Sequence, residues 1–220
     1  MFENYDIFVT ELCDGNLNKE NKSFTLTQSI DICQQLLEGL VQLWISGSCH
    51  NDLKPENILY KVSDERDEDG NQKISIRIGD FGTAGRSGGT PGWTWPRFLS
   101  ERMHGRSDMY SVGLLVLYVM CDSRELFYRL RDNYIEPDQE WLRKFREEPL
   151  ISFVMELMSL ELNVFDARQK WDEISNGVDF LSRSLIQKDY EIPVWSSCLY
   201  IQDNMDQNTV NMADATLLDK

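Results

Sequence analysis

Residues Cys49–Tyr60 read CHNDLKPENILY, and further along the chain Ile78–Gly82 read IGDFG. The first stretch sets His50, Asp52, Lys54 and Asn57 in the spacing His-x-Asp-x-Lys-x-x-Asn; the second ends in Asp80-Phe81-Gly82. Taken singly, each fragment is bland. An Asp-Phe-Gly is ordinarily a strand running into a turn, and Asn-Asp before Lys-Pro-Glu reads as a loop cap. Four residue types at fixed offsets arise by chance in roughly one chain of this length per thousand at average residue usage. A downstream Asp-Phe-Gly, set between an apolar strand and a Gly-rich loop, makes coincidence negligible.

The two motifs together resemble the catalytic loop and the magnesium-binding tripeptide of eukaryotic-type protein kinases. What the resemblance implies is phosphoryl transfer, in which the protein mainly positions partners and neutralises charge. Asp52 would orient the substrate hydroxyl, and Lys54 would sit by the transferring phosphate. Asn57 and Asp80 would offer hard oxygen ligands to magnesium. Gly89-Thr90-Pro91-Gly92-Trp93 resembles the substrate-positioning end of an activation segment of the serine/threonine type, where a threonine at the place of Thr90 bonds to the catalytic Asp and Lys. ATP and Mg2+ are the implied cofactors, and a protein is the implied substrate.

Composition narrows the partners. The 220 residues carry 22 basic and 37 acidic side chains, a net charge of −15. Such a surface disfavours nucleic acid and anionic membranes, and suits a basic protein partner. Cys13, Cys33, Cys49, Cys121 and Cys198 are odd in number and lack metal-ligand spacing, as in a reduced cytoplasmic or otherwise intracellular protein. No apolar run is long enough to span a bilayer, and the first residues do not form a signal peptide.

In chain order, Tyr5–Leu12 reads as a short apolar strand ending in a turn at Cys13–Asn16. The resemblance makes this the last small-lobe strand and the hinge. Backbone groups of Glu11 to Cys13 would meet adenine there, and Leu59 would supply the floor beneath it. Thr25 or Thr27 caps a helix to about Ile45, with Ile30, Cys33, Leu36, Leu37, Leu40, Val41 and Trp44 on its apolar face, and Gly47 ends it. Ile58–Tyr60 and the alternating Ile74, Ile76 and Ile78 form a hairpin turning at Asp69-Gly70-Asn71, its acidic connection a solvated tip. Ser107–Met120 is apolar all round and predicts a buried helix. Asp108 near its start resembles the family's buried aspartate, which bonds to the backbone of the His-Asn-Asp turn. Further helices are expected around Pro137–Arg146, Leu150–Leu160 and Lys170–Leu185, with Met155, Met158, Trp171 and Phe180 as core. The expected fold is mainly α, within an α+β family: a kinase-like large lobe, a helical bundle with a small β-hairpin carrying the catalytic loop and Asp-Phe-Gly. Residues 1–15 read as a remnant of the small-lobe strand and hinge, and 16–187 as the large lobe. Residues 188–220 form a C-terminal segment, a disordered acidic tail from about 201.

Several features depart from the family pattern. Asn51 stands where many kinases have the arginine that holds an activation-loop phosphate, so control by such a phosphate is not expected. Trp95-Pro96-Arg97 replaces Ala-Pro-Glu, whose glutamate pairs with an arginine late in the large lobe, Arg168 being the candidate here. Two arginines cannot make that pair. No Gly-x-Gly-x-x-Gly, small-lobe lysine or helix glutamate precedes the hinge, so the resemblance implies a large lobe that would be a poor catalyst alone. Its uncovered cleft face would invite self-association or a small-lobe partner. Two classes of function compete: a serine/threonine kinase, and a non-catalytic kinase-like scaffold.

Overall fold

In a computed structural model, residues 9–18, 24–85, 89–95, 106–134 and 148–181 are described. All of them fall within the first of two units, Met1–Leu185, and the second is Ile186–Lys220. The described residues form five α-helices and one three-stranded antiparallel sheet, a mixed α/β arrangement richer in strand than the hairpin alone would give.

Helix α1 (Leu26–Ile45) starts where Thr25 closes a capping box with Gln28, each side chain bonding the other's backbone N–H. Thr27 instead bonds Asp69 on the hairpin, 3.3 Å away. Ile32, Cys33, Leu36, Leu37 and Leu40 are buried, as the helical spacing requires. Trp44 is not: it is 51% exposed, because the helix outruns its supports in its last turn. Gly47 then reverses the chain at φ 68°.

Strands β2 (Ile58–Arg66) and β3 (Gln72–Ile78) pair antiparallel with Ile58 opposite Ile78 and Val62 opposite Ile74. The ladder runs further than the apolar alternation suggests, through a register shift between Val62 and Arg66. Asp67 makes this possible by accepting from Asn71 N at 2.7 Å and closing the turn around Gly70. A two-residue strand, β1 (Gly15–Asn16), joins the far side of β2. The expected strand at Tyr5–Leu12 is not seen over Val9–Leu12, which lacks a neighbouring strand among the described residues; Tyr5–Phe8 lie outside them. Ile58, Tyr60, Ile74 and Ile76 are buried, whereas Lys61 and Arg77 face outward. The Gln35 side chain of α1 donates to Ile74 O and accepts from Ile76 N, both at 2.9 Å.

Helix α2 (Arg106–Met120) is the most enclosed helix and packs against α1. From Ser107 to Met120 every residue is buried except Tyr118, which is half-buried. Each large apolar side chain enclosed there, such as Leu114, Leu115 or Met120, contributes about 1.5–3 kcal/mol. Gly113 lets α4 (Pro149–Ser159) come close: a Cβ there would lie 2.8 Å from Met158 Cγ. Helix α3 (Arg124–Tyr134) was not expected from the sequence; Ser123 caps it by accepting from Leu126 N, and Leu126 and Phe127 are buried.

The last expected helix starts and stops earlier than predicted. It is α5 (Val164–Ile174), begun by Asn163, which accepts from Phe165 N and Asp166 N, and followed by a 3-10 turn at Ser175–Gly177. Met158 and Trp171 are buried as predicted, while Met155 and Phe180 are half-buried. The helix expected at 137–146, Arg97, and the tail from 201 lie outside the described residues. No helix among the described residues is long and apolar enough to cross a membrane.

Candidate active site

The loop after α1 is buried although it is polar: His50 and Asn51 are fully enclosed, and Asp52 nearly so. Such a loop needs internal partners for its backbone. Asp108 on α2 supplies them, accepting from His50 N at 2.7 Å and Asn51 N at 2.8 Å. Asn51 sits at φ 67°, a left-handed conformation that asparagine tolerates better than most residues. Burial pushes the Asp108 carboxyl up, and the two backbone N–H groups work against that rise. The Asn51 side chain turns inward and donates to Cys49 Sγ at 3.3 Å.

Four side chains converge beyond this turn. Thr90 donates its hydroxyl to Asp52 Oδ1 at 2.6 Å, and Lys54 Nζ donates to Thr90 Oγ1 at 2.7 Å. Lys54 Nζ also lies 2.9 Å from Asp52 Oδ2. Asn57 Nδ2 donates to Asp52 O at 2.8 Å and to Oδ2 at 3.3 Å, which leaves its Oδ1 as the oxygen a cation could take. Burial works to raise the Asp52 pKa, but the hydrogen bonds from Thr90 and Lys54 outweigh it and hold the carboxyl below its usual value. Asp52 is therefore an ionised acceptor at neutral pH.

The Asp-Phe-Gly segment is stitched to this loop along its length. Asp52 N donates to His50 Nδ1, so His50 carries its proton on Nε2 and donates it to Gly79 O at 2.8 Å. Gly79 N donates to Asn57 O at 2.8 Å. Thr83 Oγ1 donates to His50 O, and Gly85 N to Cys49 O. Between these ties Asp80 turns through φ 58° and accepts from Gly82 N at 3.3 Å, leaving its carboxylate exposed. Phe81 packs on the His50 ring at 4.8 Å while remaining 49% exposed.

Thr90 itself is placed by the turn Thr90–Trp93, with Trp93 N and Thr94 N both donating to Thr90 O. Trp93 stacks on Phe127 at 5.4 Å and meets Tyr118 edge-on, and its carbonyl accepts from Ser111 Oγ of α2 at 2.7 Å. Gly89 approaches closely at φ 135°; a Cβ there would lie 2.8 Å from Asn51 O.

The hinge candidates lie apart from this network, on the outer side of the hairpin. Glu11 pairs with Lys61 at 2.6 Å and Arg77 at 3.0 Å. Cys13 Sγ lies 3.9 Å from Glu11 O, a weak contact. Leu59, opposite Arg77, is half-buried against Gly79. Arg168 is paired with Glu38 of α1 at 2.9 Å and with Asp172 one turn along its own helix.

Asn57 and Asp80 fit a magnesium ion by chemistry, since both present hard oxygens from segments fixed to each other. Among the described residues no cluster of three or more His, Cys, Asp or Glu could hold a metal unaided. A cation there would complete its shell with phosphate oxygens and water, as magnesium does with nucleotides.

A family model of the protein kinase domain matches residues 2–191. The chain belongs to the protein kinase family. Its kinase relatives include a calcium/calmodulin-dependent protein kinase type 1 of Macrobrachium nipponense, 27% identical over 158 residues, covering 65% of this chain and 44% of the relative. A probable myosin light chain kinase of Dictyostelium discoideum is 29% identical over 150 residues, 60% of this chain and 36% of its own length. The type 1 kinase of Caenorhabditis elegans is 32% identical over 106 residues, 45% and 29% of the two chains. The chain thus spans less than half the length of these kinases. Among the kinase-motif residues, Asp52, Lys54, Asn57 and Thr90 meet directly, and Asp80 joins them through the Gly79–Asn57 bond. Thr83 and Ser111 escaped sequence reasoning, because an isolated hydroxyl residue carries no spacing signal.

Proposed function

We propose that this chain carries the phosphoryl-transfer site of a serine/threonine protein kinase, using Mg·ATP and a protein substrate. The observation that carries the reading is the closed network of Asp52, Thr90, Lys54 and Asn57. Asp52 is ionised and has lone pairs left after these bonds, so it can accept and orient an incoming hydroxyl. Thr90 holds one carboxylate oxygen in place and lines the substrate's approach. Lys54, fixed by Thr90 and Asp52, sets a positive charge where the transferring phosphoryl group would pass. Asn57 and Asp80 would hold magnesium, which when bound neutralises phosphate charge. Residues 11–13 and Leu59 would contact the base.

The net charge of −15 makes a basic peptide the better substrate, with a preference that added salt weakens. Four free cysteines among the described residues support an intracellular setting.

One observation favours a second reading, a non-catalytic kinase-like scaffold. Arg168 is paired with Glu38 and Asp172, and Arg97 stands where the family has the glutamate that would pair with it. The test is transfer of the γ-phosphate from Mg·ATP to serine and threonine peptides, using the longest natural form of the protein. Transfer that is lost in Asp52→Asn supports the kinase. A folded protein that binds Mg·ATP and phosphorylates nothing, protein partners included, establishes the scaffold.

A further inference from the structure

The outer face of the β2–β3 hairpin presents Leu59 and Lys61 from one strand and Arg77 from the other, with Leu59 directly opposite Arg77. The Glu11 carboxylate lies over this face and divides its two oxygens: Oε1 takes Lys61 Nζ at 2.6 Å, and Oε2 takes Arg77 Nε at 3.0 Å. Three residues on, Asp14 N donates to Tyr60 O and Asp14 Oδ2 accepts from Val62 N, tying the same segment to the β2 backbone. Residues 11–14 are therefore held to the hairpin at both ends. In between, Leu12 is 89% exposed and Cys13 is half-buried.

We propose that Glu11 is a positioning residue for the nucleotide base: its bridge to Lys61 and Arg77 fixes residues 11–13 against the hairpin face that carries Leu59, and so the place where a purine would enter. This rests on the kinase reading above, but it assigns the side chain of Glu11 a role that the backbone contacts of that reading do not. An isolated exposed ion pair holds little. Here one carboxylate bridges two cations rooted on paired strands, so Glu11 stays tied to the hairpin by one when the other swings away.

The test uses the full chain and two probes. Binding of a fluorescent ADP analogue with magnesium reports base plus phosphates, and competition by magnesium tripolyphosphate reports phosphates alone. Glu11→Gln is expected to weaken the ADP analogue about three- to tenfold and to leave tripolyphosphate unchanged. A merely structural lesion would weaken both. In the same variant, alkylation of Cys13 by N-ethylmaleimide, followed by peptide mass spectrometry, should speed up by a similar factor. The charge-swapped triple Glu11→Lys, Lys61→Glu, Arg77→Glu should restore both values. Lys73→Met, which removes only the Lys73–Glu65 pair on the same hairpin, should alter neither. Unchanged Cys13 alkylation and unchanged ADP affinity in Glu11→Gln would overturn the proposal. If Cys13 responds but the unaltered chain binds neither probe, the nucleotide-site reading fails and with it the base-positioning role.

Discussion

Thr90 and Asp52, 38 residues apart in sequence, are joined by a hydrogen bond of 2.6 Å. It fixes the carboxylate from the Thr90–Trp93 turn while Lys54 and Asn57 fix it from within the loop. Thr90→Val should therefore raise the Asp52 pKa toward its ordinary value and lower transfer more than it lowers nucleotide affinity. Carboxyl carbon shifts followed by NMR across a pH titration would check the first point. The sign is fixed by the direction of the shift. Because the folded pKa is lowered, the stability Asp52 contributes is complete above its unfolded value and is lost as pH falls through the folded one. In Thr90→Val that contribution should be smaller, and its loss should be complete at a higher pH.

Asp108→Ala should destabilise the fold by about 2–5 kcal/mol, since it strands two buried backbone N–H groups of a polar turn. Asp108→Asn keeps one acceptor oxygen and should cost less. Urea unfolding midpoints compare the two; an alanine variant within experimental error of the parent would refute the clamp.

Gly89→Ala should act on the site rather than on the fold. Its Cβ would press on Asn51 O and on Thr94, at a φ that alanine adopts only under strain. The expected result is loss of the Thr90 contact and of transfer, with an unfolding midpoint close to that of the parent. Equal loss of stability and activity would mean that the segment is part of the core.

Arg168→Leu should cost about 0.5–1.5 kcal/mol by removing the link from α5 to Glu38 of α1. For the same reason, Arg97→Glu should bring little gain, since Arg168 already has two acidic partners. A clear rise in thermal midpoint for Arg97→Glu would show that Arg168 leaves them readily.

The candidate site residues stand out because they sit at fixed offsets within two short stretches, and the buried helix because Ser107–Met120 has no polar face to expose. Both Thr25 and Thr27 fit the cap pattern in sequence, and Gln28 decides between them by reaching back to the Thr25 N–H. Helix α3 is hard to see in the sequence because five of the eleven residues in RELFYRLRDNY are charged. Leu126 and Phe127, the buried residues among its described side chains, are adjacent and by themselves set no helical spacing. Trp44 was misplaced since periodicity says which face an apolar residue occupies, not whether anything lies opposite it. The bridge made by the Glu11 side chain is not legible in the sequence, because partners 50 and 66 residues away leave no local trace.

Gln35 occupies the outer margin of β3 as a surrogate strand of a single residue. A sheet margin with open N–H and C=O groups is a template on which other chains can add strands and aggregate. Ile74 and Ile76 would otherwise offer such a template on the side of the sheet remote from β1. With Gln28, whose Nε2 donates to Gln72 O at 2.7 Å, Gln35 covers that margin from a helix rather than from a strand and opposes intermolecular growth there.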